Sequence, residues 1–219
     1  MKMRLFFIQT VVAAAAAGLL CAQNGKPPAL NEPQGIPPRS APTDYQAQGK
    51  AGAVTIAAEF AGHAVPTPDG PLNTDDYVVV EVGLFGADKL VLSPDDFSLR
   101  VNGKKAAVQS RPYGAVVASV KDPEWAPPEK KDKPKTSIGS GGAGAGPGDD
   151  GPPPPVKVPI EVQRAIAQRV RKVSLWEGDR PLPQAGLLYF PYHGKTKGIS
   201  SLELIYSGPA GTATLVLQP

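Results

Sequence analysis

Few side chains of this chain are candidates for catalysis or metal binding, and the two histidines are considered first. His63 and His193 lie beside Gly62 and Gly194, in stretches whose composition predicts loops. A zinc site usually takes three or four His, Cys or carboxylate ligands at short spacings, and neither histidine has a second one nearby in sequence. The sequence therefore favours polar loop residues at both positions over metal ligands or general bases.

The acidic, serine and glycine patterns also lack a catalytic arrangement. A calcium loop needs alternating oxygen ligands, a glycine and a terminal Glu, and no acidic pair of this chain meets that pattern. The pairs are Asp75-Asp76, Asp95-Asp96 and Asp149-Asp150. No serine lies in a G-x-S-x-G turn, and the glycine run at 139–148 is not followed by Lys-Ser/Thr. We predict no catalytic residue, no metal ligand and no cofactor, so the chain is not expected to be an enzyme.

One predicted helix carries the candidate binding residues. Residues 160–174 contain no Gly or Pro, and Pro159 suits a helix start. An apolar stripe follows helical spacing at Val162, Ile166, Val170 and Val173. The candidate partner-binding residues are basic: Arg164, Arg169, Arg171 and Lys172. This face suits an acidic cell-envelope polymer or lipid headgroups, and a merely solvated outer face is the alternative.

Residues 1–22 predict an export signal. Lys2 and Arg4 form a short basic start, residues 5–20 carry no charge, and Ala22 is a small residue at a suitable cleavage point. A membrane anchor usually needs about 20 apolar residues, so we expect cleavage and no transmembrane span after processing. An uncleaved anchor is the alternative.

Cys21 is the single cysteine of the chain. Because Leu20 precedes it where lipid attachment normally follows a small residue, anchoring as a lipoprotein is less favoured than cleavage. The expected location is periplasmic or extracellular, and the processed chain has no disulfide, so its stability must come from burial.

The charge balance gives no reason to expect nucleic acid as a partner. The net charge is +3, and loss of Lys2 and Arg4 with the signal leaves 21 basic against 20 acidic side chains. Such a balance produces no strong field over the surface.

Two stretches interrupt the remaining chain. Residues 23–50 are rich in proline and poor in large apolar side chains, which predicts a disordered tether. Residues 122–157 combine prolines, glycines and charges, which predicts a disordered insert in a surface connection. The pieces at 51–121 and 158–219 are then the two parts of one domain, a size that a single core can support.

Apolar alternation indicates that this domain is mainly β. Several short segments have the period-2 pattern of strands, and Asn102-Gly103 supplies the positive φ angles of a tight turn. The candidate strands are 53–61, 77–85, 90–92, 97–101, 106–109, 115–120, 187–190, 199–206 and 212–217. With turn signals between them, they predict a β-sandwich of about seven strands with one short amphipathic helix.

One stretch resembles a known group of domains. The valine-rich run Tyr77–Val82 leads to Leu90-Val91-Leu92, the turn Ser93-Pro94-Asp95-Asp96 and the strand Phe97-Ser98-Leu99. This order is similar to exported bacterial immunoglobulin-like domains of unknown function, described as antigen-like. The likeness covers residues 75–110 and, more loosely, 186–217. It implies an immunoglobulin-like sandwich and an exported location, and it implies no catalytic residues.

The sequence thus predicts an exported immunoglobulin-like module that binds an unidentified protein or a cell-envelope component. A structural or accessory subunit of an envelope assembly is the alternative.

Overall fold

The computed structural model describes residues 35–125 and 158–219, and these residues are mainly β. They contain thirteen strands. The strands are β1 (Ala47–Ala51), β2 (Val54–Gly62), β3 (Ala64–Val65), β4 (Leu72–Thr74), β5 (Tyr77–Phe85), β6 (Lys89–Leu92), β7 (Phe97–Val101), β8 (Val108–Gln109), β9 (Val120–Lys121), β10 (Gly178–Pro181), β11 (Gln184–Pro191), β12 (Leu202–Gly208) and β13 (Gly211–Leu217). The two helices are α1 (Tyr113–Val116) and α2 (Ile160–Val173). The prediction of about seven strands is wrong, since several pairings involve strands of only two to four residues.

Every pairing between these strands is antiparallel. One four-stranded sheet, which we call the first sheet, has the order β1-β2-β5-β11. A second four-stranded sheet has the order β13-β12-β7-β8. A ribbon joins β10 to β6, and a small sheet has the order β3-β4-β9.

Side chains from both four-stranded sheets form one apolar core. The members include Ile56, Val80, Val82, Leu84, Leu99, Leu204 and Leu215. Along β7 the buried Phe97, Leu99 and Val101 alternate with the half-buried Ser98 and Arg100, as the period-2 pattern predicted.

A second core covers the opposite face of β5 and β11. Val79 and Tyr189 pack there with Val170 of α2. Consecutive residues Val78, Val79 and Val80 of β5 are all fully buried. Strand β5 is therefore central in its sheet and covered on both faces.

The helix α2 agrees with the predicted helix at 160–174, and its stripe residues Ile166, Val170 and Val173 are buried. A buried hydroxyl pair fixes its end to the sheet. The Ser174 hydroxyl donates to the Val170 carbonyl at 2.7 Å and lies 3.0 Å from the Tyr189 hydroxyl.

The predicted turns form for the reasons expected. The Ser93 hydroxyl accepts from the Asp95 amide at 3.2 Å and opens a 3-10 turn at Pro94–Asp96. Asn102 and Gly103 have φ angles of +54° and +64°, the conformation that Asn and Gly tolerate best. The candidate strand at 115–120 is wrong, since α1 and a 3-10 turn occupy most of it.

The tether prediction at 23–50 is wrong for residues 35–50. β1 forms a complete ladder with β2, and the Ile36 amide donates to the Ala185 carbonyl at 3.0 Å. The prediction relied on the scarcity of large side chains. The small residue at Gly49 suits this strand, because a Cβ there would already lie 3.4 Å from Leu215 Cδ1.

Three predicted segments fall wholly or partly outside the described residues. They are the export signal at 1–22, the first part of the tether at 23–34, and residues 126–157 of the insert. Neither described helix is long and apolar enough to cross a bilayer.

Candidate functional site

The outer face of α2 presents three of the four predicted basic residues. Arg164, Arg171 and Lys172 are exposed, and none of them pairs with an acidic side chain elsewhere among the described residues. Arg164 and Arg171 are seven positions apart, which places them on one face about 10 Å apart along the axis. We call these three residues the basic surface.

Arg169 does not belong to this surface. Its Nη1 donates to Asp122 Oδ2 at 2.6 Å, and its Nη2 donates to the Asp69 and Gly70 carbonyls at 3.0 and 2.9 Å. Its Nε also donates to Thr67 Oγ1 at 3.3 Å. Only 16% of the Arg169 side chain is exposed. Arg169 therefore anchors α2 to the Asp69–Gly70 turn and to Asp122. The other three cations face outward.

Two structural effects also act on the basic surface. Arg171 and Lys172 occupy the last turn of α2, where positive charge is favoured by the helix dipole. Glu161 in the first turn lies three positions before Arg164 and partly offsets its charge. The basic surface therefore carries a modest net positive charge, and the helix that presents it is held in place by Arg169.

A shallow groove lies at the beginning of α2. Its volume is about 310 Å³, and Val162, Ala165 and Ile166 face Trp125 across it. Asp122 and Glu124 complete the lining. The groove is mainly apolar, because four of its six lining residues are apolar and the carboxylate of Asp122 is paired with Arg169.

The two histidines, distant in sequence, both contact residues at the start of β5. His63 Nδ1 lies 2.8 Å from the Tyr77 carbonyl oxygen, and its Nε2 lies 2.9 Å from the Gly194 carbonyl oxygen. His193 Nδ1 lies 3.1 Å from Asp76 Oδ1. The pairing of β5 with β11 explains this proximity. The ladder ends at the pair Tyr77 and Pro191, so the residues that precede β5 lie beside the residues that follow β11.

The surroundings of the two rings are mainly backbone for His63 and solvent for His193. Both nitrogens of His63 face backbone carbonyls, while the His193 side chain is 79% exposed. Within 35–125 and 158–219, no three His, Cys, Asp or Glu side chains are placed to hold a metal ion. No hydrogen bond between described residues joins a serine hydroxyl to either imidazole.

Arg39 forms an ion cluster that the sequence did not predict. Its guanidinium donates to both carboxylate oxygens of Glu81, at 3.2 and 3.0 Å, and pairs with Glu59. Hydrogen bonding to Glu81 raises the pKa of Arg39, against the opposing effect of burial. Glu59 and Glu81 lie directly opposite each other on β2 and β5, so Arg39 compensates two like charges.

Comparison of the chain with protein-family models, with curated proteins and with solved structures finds no match in any of the three.

Proposed function

We propose that this chain is an exported, non-catalytic binding module that contacts a protein or cell-envelope partner through the basic surface of α2. The observation that carries the proposal is the arrangement of the helix cations. Arg169 holds the helix to the fold, and Arg164, Arg171 and Lys172 face outward without acidic partners among the described residues.

An immunoglobulin-like β-sandwich is the proposed architecture of the module. Two antiparallel four-stranded sheets share one apolar core, which is the layer arrangement of such domains. A scaffold of this kind keeps a docked helix in a fixed orientation, so the basic surface needs little reorganisation on binding.

Export is the second part of the proposal and rests on residues 1–22. A C-terminally tagged chain expressed in a bacterial host should fractionate outside the cytoplasm, and its N-terminal sequence should begin at Gln23. Recovery from the cytosol with Met1 still in place would contradict this part.

The binding proposal is tested by capture from an envelope extract. We expect the unaltered protein to retain a partner, and we expect retention to fall at least about tenfold when Arg164, Arg171 and Lys172 are each changed to Glu. The matched control changes Lys89, Lys104 and Lys105 to Glu, because these exposed lysines lie elsewhere and carry the same charge. Equal losses in the two triple variants would contradict the assignment to α2.

A role as an accessory subunit of an envelope assembly is the second candidate. β13 is the end strand of its sheet, and its Val216 is 67% exposed, which suits pairing with another chain. A sizing column distinguishes the two candidates, since stable self-association would favour the assembly. A hydrolase activity lost on His63→Ala or His193→Ala would contradict both.

A further inference from the structure

Both histidines of the chain take part in contacts between one short loop and the residues around the start of β5. Residues 192–198 follow β11, and we call them the 192–198 loop. His63 reaches this loop from the end of β2 through the Gly194 carbonyl, and His193 reaches back from the loop to Asp76. The Tyr192 amide donates to the Asp76 carbonyl at 2.8 Å. Three contacts thus join the loop to the residues that surround the start of β5.

Both ring nitrogens of His63 face hydrogen-bond acceptors. The Tyr77 and Gly194 carbonyl oxygens face its two nitrogens at 2.8 and 2.9 Å. A neutral imidazole carries one N–H, so one nitrogen would present a lone pair to a carbonyl oxygen, whereas the imidazolium donates to both. The contact between His193 and Asp76 has the same dependence, because only the protonated ring adds a charge pair to the hydrogen bond.

The charged groups around these rings come from three places. Asp75 and Asp76 precede β5, and Lys121 on β9 pairs with Asp75. The hydrogen bond from Lys121 chiefly lowers the pKa of Asp75, and the charge of His63 makes a smaller contribution in the same direction. The loop contributes Lys195, Lys197 and the Tyr192 ring, whose centroid is 6.2 Å from that of His63. Two carboxylates and two loop lysines therefore place charges of opposite sign around the rings.

We propose that protonation of His63 and His193 fastens the 192–198 loop to the start of β5, so that the loop is held in acid and released as the pH rises. Histidine side chains generally change charge between about pH 5 and pH 8, and this is the interval over which the proposal is tested. The loop contains no residue of the basic surface, and this device is therefore independent of the proposed binding function.

Amide hydrogen exchange of the full chain tests this proposal. The Tyr192 and Gly198 amides donate to the Asp76 and Lys195 carbonyls at 2.8 Å each, and their protection reports whether the loop is held. After correction for intrinsic exchange, we expect protection about three- to tenfold greater at about pH 5.5 than at about pH 7.5. Amides of β12 should change less than about twofold, since that strand lies in the other four-stranded sheet.

Substitutions then assign the effect to the rings. His63→Gln keeps one amide donor without the charge, and His193→Gln is the matched change on the loop. Because the chain has two histidines, the double variant removes every imidazole, and its loop protection should no longer depend on pH in this interval. Persistence of the pH dependence in the double variant would overturn the proposal.

Nitrogen spectra of the unaltered protein provide a measurement that needs no variant. At about pH 5.5 both ring nitrogens of His63 should carry protons, and the ring should become neutral together with the loss of loop protection. A neutral His63 ring in acid, or protection that is equal at the two pH values, would also overturn the proposal.

Discussion

At the scale of single residues, Gly186 on β11 has the least room for a side chain among the glycines of 35–125 and 158–219. A Cβ at this position would lie 2.3 Å from Leu175 Cα and 2.5 Å from Leu175 N. The cause is the close approach of backbone segments, since Ser174 pairs in parallel with Leu187 and the Leu175 amide donates to the Leu187 carbonyl at 3.0 Å. Glycine within a strand often marks such an approach, so the presence of a glycine in this strand is itself an indication of close backbone packing.

We expect Gly186→Ala to lower the free energy of unfolding by about 1–3 kcal/mol, because the added methyl group must displace backbone. Urea unfolding measures the change. Gly114→Ala is the matched control, since a Cβ at Gly114 meets nothing within 4 Å, and its effect should stay within about 0.5 kcal/mol. Similar losses for the two variants would contradict the close approach.

Arg39 is the second residue whose role depends on distant partners. No spacing rule connects it with Glu59 and Glu81, because the contact forms only when the segment before β1 returns across the first sheet. Its guanidinium also lies 4.5 Å from the centroid of the Tyr45 ring, at a distance typical of cation–π contacts.

Arg39→Met should lower the free energy of unfolding by about 1–2 kcal/mol, a range reduced for the partial exposure of the cluster. Because methionine retains an apolar side chain, the loss of stability reflects mainly the repulsion between Glu59 and Glu81 when Arg39 no longer compensates their charges. Repeating the change in a Glu81→Gln background should reduce the loss by about half or more. An unchanged loss in that background would show that the charges do not interact.

At the scale of elements, alternation predicted the long strands and α2 because both period patterns are strong there. It failed for β3, β4 and β9, since strands of two or three residues are too short to show a period. It also missed β1, where the small residue Gly49 lies close to Leu215 and Ala213 of β13. Short pairings of this kind are selected by tertiary contacts, which local sequence does not contain.

One buried hydroxyl pair, Ser174 and Tyr189, adds a polar contact to the apolar packing of α2 on the first sheet. Burial raises the pKa of Tyr189, so the phenol remains a protonated hydrogen-bonding group beside Ser174. Tyr189→Phe should cost about 1 kcal/mol, measured by urea unfolding and by faster amide exchange in α2. Tyr113→Phe is the control, because its hydroxyl forms no hydrogen bond with another described residue. Equal costs for the two variants would contradict a role for the pair.

At the scale of the whole molecule, two apolar cores share the first sheet. One core packs against the second four-stranded sheet, and the other packs against α2 and the small sheet. The sequence predicted the first core through alternation. It did not predict that both histidines lie near the start of β5, nor that Arg169 turns inward. Both arrangements follow from strand pairing and helix docking at long sequence separation.

The central claim is that the partner is contacted by the outer face of α2. Gln168 is exposed between Arg164 and Arg171, so a photo-crosslinking residue at 168 samples that face directly. The same group at position 105, on an exposed lysine of another surface, is the control. Irradiation of the protein with envelope extract should give a covalent adduct from position 168 and none from position 105. Adducts from position 105 alone, or equal adducts from both positions, would contradict the claim.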